Sequence, residues 1–263
     1  MHFLLTLLVL AAPGFFFNCQ PSEPFLTRYL LEDKNLTRAQ LDEVVWPADV
    51  YASLAFVLPV GVCAETIGYV PTLLAGMLFR EATRVILIWG EGVPAMTAMQ
   101  VTYAGGHAAN AVFFSLPYVL LEPSDATAAA ATAAQHAAYH LGNLAGSGLA
   151  QALVSTGAVV DLRVLFYLSW AFTTAGLALL LCVPLLLGAA RRRGAYRTLF
   201  GEARARGAVA ALRHLGQLAR LRHVAAACAG LVLVGACWEI IGNYFQENLR
   251  EAGMDRSLYG YVE

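Results

Sequence analysis

Seven apolar stretches partition this chain, at residues 2–20 (with a possible extension to 30), 47–67, 70–90, 93–121, 127–155, 164–188 and 223–247. A helix needs about 20 mostly apolar residues to cross a bilayer, and each stretch approaches or exceeds that length. Because backbone polar groups cannot face lipid unpaired, such a chain is expected to be all-α and polytopic. Composition agrees: 59% of the residues are hydrophobic and only 13% charged, where soluble domains carry roughly a quarter charged residues.

The first stretch also matches the apolar region of a secretory signal peptide, "LLTLLVLAA". Against that reading, no Lys or Arg precedes it, and the apolar run continues through "PGFFF" without a small-residue cleavage site. Orientation follows from the arginines. Segment 189–222 holds nine of the 17 basic residues, Arg191, Arg192, Arg193, Arg197, Arg204, Arg206, Arg213, Arg220 and Arg222, against the single acid Glu202. The positive-inside rule makes that segment cytoplasmic. With six spans before it, the amino terminus is cytoplasmic too and 31–46 lies outside, where Asn35-Leu36-Thr37 is an N-glycosylation sequon. A basic loop between spans argues for topology rather than nucleic-acid binding, so no nucleic-acid partner is expected. The five cysteines stand singly in apolar surroundings, without a CxxC pair or a metal-spaced His cluster. They read as small core residues, with no metal or cofactor implied.

A charge at the bilayer centre costs roughly 2.5 to 3.5 kcal/mol, so polar residues inside the spans map a site or an internal pairing. Glu23 sits between Pro21 and Pro24 at the end of the first span, where two residues unable to complete a helical ladder should break or kink it. Asp49 and Glu65 mark the ends of the second span and read as headgroup-level, solvated acids. The third span carries Arg80, Glu81 and Arg84; Glu81 and Arg84, three apart, can pair with each other. Gln100, Tyr103, His107 and Asn110 share one face of the fourth span. His136 and His140 are four apart on the fifth, spaced to ligate a metal but without an HExxH acid, and Glu239 and Asn243 lie on the seventh. Gly142, Gly146 and Gly148, with Ala145 and Ser147, form a patch of small residues suited to close helix contact.

The stretch "PSEPFLTRYLLEDKNLT" (Pro21 to Thr37) resembles the end of helix one in the reduced folate carrier and thiamine transporter family. "GYVP" (Gly68 to Pro71), "GEGV" (Gly90 to Val93), "AGSGLAQALVS" (Ala145 to Ser155) and "NYFQ" (Asn243 to Gln246) follow in the family's order, so the resemblance covers about residues 14–263. It implies a major facilitator fold of 12 helices that carries a water-soluble B vitamin by alternating access in the plasma membrane, with no enzymatic activity. On that resemblance, 1–190 is the amino-terminal six-helix bundle, 191–222 a basic cytoplasmic linker, and 223–263 helix seven with the start of helix eight. The chain is therefore expected to be a piece of a longer protein.

Residue by residue, the resemblance makes Glu23 the helix-one acid near the substrate and Tyr103 the aromatic that stacks on the vitamin ring. It puts Gln100 where thiamine carriers have a carboxylate, His136 on or beside an arginine of folate carriers, and Glu239 and Asn243 at cavity positions. The chain also departs from the pattern. Arg84 and Asp49 stand where thiamine carriers have tryptophans, Asn110 replaces a glutamate, and "ETIGYVP" lacks an arginine between its acid and its tyrosine. Glu23 and Glu239 with Tyr103 would suit cationic thiamine, whereas Arg84 and a protonated His136 would suit anionic folate; the balance leans narrowly to the cation. The sequence leaves the coupling ion open. Two other readings compete: a seven-helix receptor, which would normally place its amino terminus outside, and an intramembrane enzyme using His136 and His140, which lacks a nucleophile or metal partner.

Overall fold

The computed structural model describes residues 2–120 and 125–186 and, beyond them, 213, 216–217, 220–230, 233–234 and 237. Glu239, Asn243 and most of the 191–222 linker lie outside the described residues. Among the described residues every regular element is helical. Helix α1 spans His2–Asn18, and a 3₁₀ turn at Glu23–Phe25 leads into α2, Leu26–Glu32. A single turn, α3 (Arg38–Gln40), runs through a π-helical turn at Leu41–Val45 into α4, Trp46–Ile67. Then come α5 (Tyr69–Trp89), α6 (Gly92–Leu120), α7 (Asp125–Ser155) and α8 (Arg163–Leu186).

The expected break in the first span is present: α1 stops at Asn18, and α2 begins only after the segment that holds both prolines. Pro21 and Pro24 have no N–H to donate, so two rungs of the ladder are missing where the helix breaks. The turn between α4 and α5 is one residue, Gly68, at φ 103°; that left-handed backbone is open to glycine at little cost, so the two helices fold back as a hairpin.

Seven spans were expected on apolar length, whereas only Arg38–Ile67 and Arg163–Leu181, among the described residues, are long and apolar enough to cross a bilayer by composition alone. The other expected spans within the described residues fall short for separate reasons, while most of the seventh, 223–247, lies outside the described residues. Helix α1 has 17 residues, α5 carries Arg80, Glu81 and Arg84, and α6 and α7 are diluted with Gly, Ser, Thr, Asn, Gln and His. Such helices rely on one another, and the packing shows how. Helix α1 lies against α7 and α8, α5 against α6 and α8, and α4 against α6.

Small residues set the closest approaches. A Cβ on Gly142 would meet the carbonyl oxygen of Phe15 at 2.2 Å, and one on Gly146 would meet the backbone nitrogen of Gln20 at 2.6 Å. Thus α7 presses its glycine face onto the chain leading into the break. Gly148, also expected in that patch, faces open space, because it lies on the other side of α7.

Two buried apolar clusters close the ends of the bundle. One gathers Phe25, Tyr29, Leu30, Leu87, Ile88, Met96, Met99, Leu162, Leu165 and Phe166 around the end that carries the 31–46 loop. The other gathers Phe17, Ala64, Val70, Leu73, Met77, Val112, Phe113, Leu116 and Leu180 at the opposite end. At the loop end the buried Lys34 donates from Nζ to the carbonyls of Ile88 (3.1 Å) and Gly90 (2.8 Å) and to Glu91 (3.1 Å). A cation on the last carbonyls of α5 satisfies acceptors that the helix cannot pair and complements its dipole.

Candidate functional site

Between the two apolar clusters lies a polar layer, crossed by the chain around the α1 break and by α5, α6 and α8. Along α1 and its break, Phe17 precedes Gln20, Ser22 and Glu23, and Phe25 follows. On α5, Arg80 and Arg84 are held between Met77 and Leu87; on α6, Gln100, Tyr103, His107 and Asn110 lie between Met99 and Val112. On α8, Ser169 and Thr173 fall between Phe166 and Leu180. Polar groups cut off from water need partners, so this layer is a network.

Arg84, 3% exposed, organises it. Its guanidinium donates to Glu23 Oε1 at 3.0 Å, to Ser22 Oγ at 3.3 Å and to Gln20 Oε1. The Ser22 amide in turn donates to Ser169 Oγ at 2.9 Å, which ties the break to α8. One turn earlier on the same face of α5, Arg80 donates to Asn110 Oδ1 at 2.7 Å and to the Phe17 carbonyl at 3.4 Å, and its guanidinium lies 5.9 Å from the centre of the Phe17 ring. Asn110 Nδ2 passes the chain on to Tyr139 Oη at 3.4 Å. The third charge on α5 faces elsewhere: Glu81 Oε2 lies 2.6 Å from Trp170 Nε1 and 3.2 Å from Thr174 Oγ1, both on α8.

The pairing on α5 therefore differs from the Glu81–Arg84 option that spacing allowed. Arg84 turns inward to Glu23 across the break, and Glu81 turns toward Trp170 and Thr174 on α8, so the two point to different neighbours across the bundle. Asp49 also departs from expectation. It is buried, with Ser53 Oγ at 3.4 Å, and is not a solvated headgroup-level acid. Glu65 is exposed, as expected, and accepts from Tyr69 Oη at 3.0 Å.

Of the six residues expected to bind substrate, the structure brings three into this layer. Glu23 is held by Arg84, Gln100 is buried, and Tyr103 stacks with His107 at 5.8 Å between ring centres. His136 is on an exposed face of α7, its ring 4.0 Å from that of Phe114 and 6° from parallel, with His140 next along at 6.4 Å. Glu239 and Asn243 fall outside the described residues. The expected glycosylation site, Asn35, is exposed in the loop at φ 53°, a left-handed conformation that asparagine tolerates. The sequence reading missed Gln20, Ser22, Tyr139 and Ser169. Gln20 and Ser22 flank the proline break and could have been flagged for that reason, while Tyr139 and Ser169 carry no local signal.

A bundle that is all-helical among the described residues, with a buried charged and aromatic layer between two apolar clusters and an interrupted first helix, fits a helical membrane protein. The chain belongs to the reduced folate carrier family, whose sequence model matches residues 1–190. It is therefore related to integral membrane transporters. It is 33% identical to human thiamine transporter 2 over 150 residues, 56% of this chain and 29% of that protein. It is 34% identical to the human reduced folate transporter over 169 residues, 64% of this chain and 28% of that protein. With folate transporter 1 of Caenorhabditis elegans it shares 29% identity over 157 residues, 59% and 34% of the two chains. The matched region thus spans about a third or less of the length of these relatives.

Proposed function

We propose that this chain is the amino-terminal part of a carrier that moves a water-soluble B vitamin, thiamine or a reduced folate, across the plasma membrane by alternating access. In this reading, 1–190 is one six-helix half of a major facilitator-type bundle, 191–222 a cytoplasmic linker, and 223–263 the beginning of the other half. The amino terminus is cytoplasmic. Family membership and the names of the relatives support the vitamin; the observation that carries the site is Glu23, a carboxylate at a proline-made helix break inside a buried polar layer. Freed backbone at membrane depth is tolerated where it lines protein or a cavity, and carriers use such breaks to hold their substrates. Glu23 and Gln100 would contact the substrate and Tyr103 would stack on its ring; His136, Glu239 and Asn243 are proposed as further contacts on the strength of the family resemblance alone.

The test is uptake of radiolabelled thiamine and of a reduced folate, side by side, by cells expressing the full-length protein and its Glu23→Gln variant. A hydrogen bond to a charged group is worth about 1.5–3 kcal/mol, so uptake should fall about tenfold or more at equal surface abundance. Uptake and pH dependence unchanged in the variant would remove Glu23 from the site.

A further inference from the structure

The polar layer holds a feature that bears on the charge of the transported molecule, and the inference from it rests on the carrier reading above. A carboxylate recognises a cationic substrate by supplying the missing counter-charge. Here the counter-charge of Glu23 is already present inside the protein: the Arg84 guanidinium sits 3.0 Å from Glu23 Oε1, and the two side chains are 4% and 24% exposed. Arg84 is also fixed by Ser22 and Gln20, on the same stretch of chain as Glu23, so the pair is part of how the break is built. A cation entering this layer would have to displace a buried guanidinium and leave it without its carboxylate, and uncompensated buried charge is strongly unfavourable. The same face of α5 presents a second guanidinium, Arg80, one turn away, whose partners are the neutral Asn110 amide and Phe17 carbonyl.

We propose that Arg84 is a specificity-determining residue: by neutralising Glu23 it bars cationic substrates and sets this carrier for an anionic one, the folate rather than the thiamine chemistry. Glu23 then serves as an acceptor for neutral N–H groups of the substrate's heterocycle, and its charge is spent on Arg84. Arg84 acts through Glu23 and need not touch the substrate. Selectivity is a difference between two affinities, and an internal ion pair that only one substrate class must break supplies that difference.

The experiment uses the full-length carrier in cells, with surface abundance measured by biotinylation. In the wild type, labelled reduced folate should be taken up saturably, and unlabelled thiamine should compete at least about tenfold more weakly than unlabelled folate. In Arg84→Gln, the KM for thiamine should fall about tenfold while the KM for reduced folate does not, since the freed carboxylate gains a cation to balance. In the double variant Arg84→Gln with Glu23→Gln, that gain should disappear. A purely structural Arg84 would lower the maximal rate for both substrates and would not improve thiamine binding. Wild-type preference for thiamine, or an unchanged thiamine KM in Arg84→Gln, would overturn the proposal and leave the vitamin-carrier reading standing. Uptake of neither vitamin by wild-type protein present at the surface would overturn both. Should Arg84→Gln fail to reach the surface, the wild-type competition alone decides.

Discussion

Lys34 shows how much of the loop end rests on one side chain. Its ammonium is fully buried and its three hydrogen bonds all go to the segment where α5 ends and α6 begins, while the Tyr29 ring lies 5.6 Å from it. Lys34→Met would keep most of the apolar stem and strand two carbonyls, while the exposed Glu91 carboxylate stays hydrated. Leaving buried acceptors unpaired costs about 1–3 kcal/mol, so the purified protein should melt several degrees lower, as read by fluorescence-detected size-exclusion. A melting temperature equal to that of the parent would mean that water replaces Lys34 at no cost. The sequence displayed Lys34 within "DKNLT" but gave no hint of its partner, because Ile88, Gly90 and Glu91 lie more than fifty residues away along the chain. The same holds for Arg84. Spacing offered it Glu81 at three residues, and the fold delivered Glu23 from across the break.

Elements were far more legible. The apolar stretches at 47–67, 70–90, 93–121, 127–155 and 164–188 became helices within about two residues at each boundary, since a run of apolar residues bounded by Gly or Pro leaves little choice of backbone in a membrane. What periodicity could not assign was which small residues of α7 carry the contact with α1. Gly142 and Gly146 do, with no room for a Cβ, and Gly148 does not. Gly146→Val should therefore push α7 off the Gln20 backbone and cost about 1–3 kcal/mol or more, seen as lost surface expression and thermal stability. Gly148→Ala, into open space, should leave both unchanged. Equal effects from the two substitutions would show that the helix faces have been misassigned.

For the molecule as a whole, topology is the property most directly open to test. The proposed orientation would put the 31–46 loop outside and open Asn35 to glycosylation; Thr37 of the sequon caps α3 through its hydroxyl, which accepts from the Gln40 amide at 3.3 Å. Expression in mammalian cells should give a glycosidase-sensitive gel shift that Asn35→Gln abolishes, and protease added from outside should spare an amino-terminal tag. A tag cleaved in intact cells would reverse the orientation. The sequence alone determined that the described residues are helical, where those helices lie, that the first one breaks near Pro21 and Pro24, and which family the chain resembles. Each of these depends on residues adjacent in the chain or on motifs read in order. Tertiary structure alone decided that Arg84 neutralises Glu23, that Glu81 bonds to α8, that Asp49 is buried, and that α1, α5, α6 and α8 bring their polar residues to one level between two apolar ends. Those outcomes depend on which helix faces meet, and the energy that selects a partner for a buried charge is summed over neighbours from several helices at once.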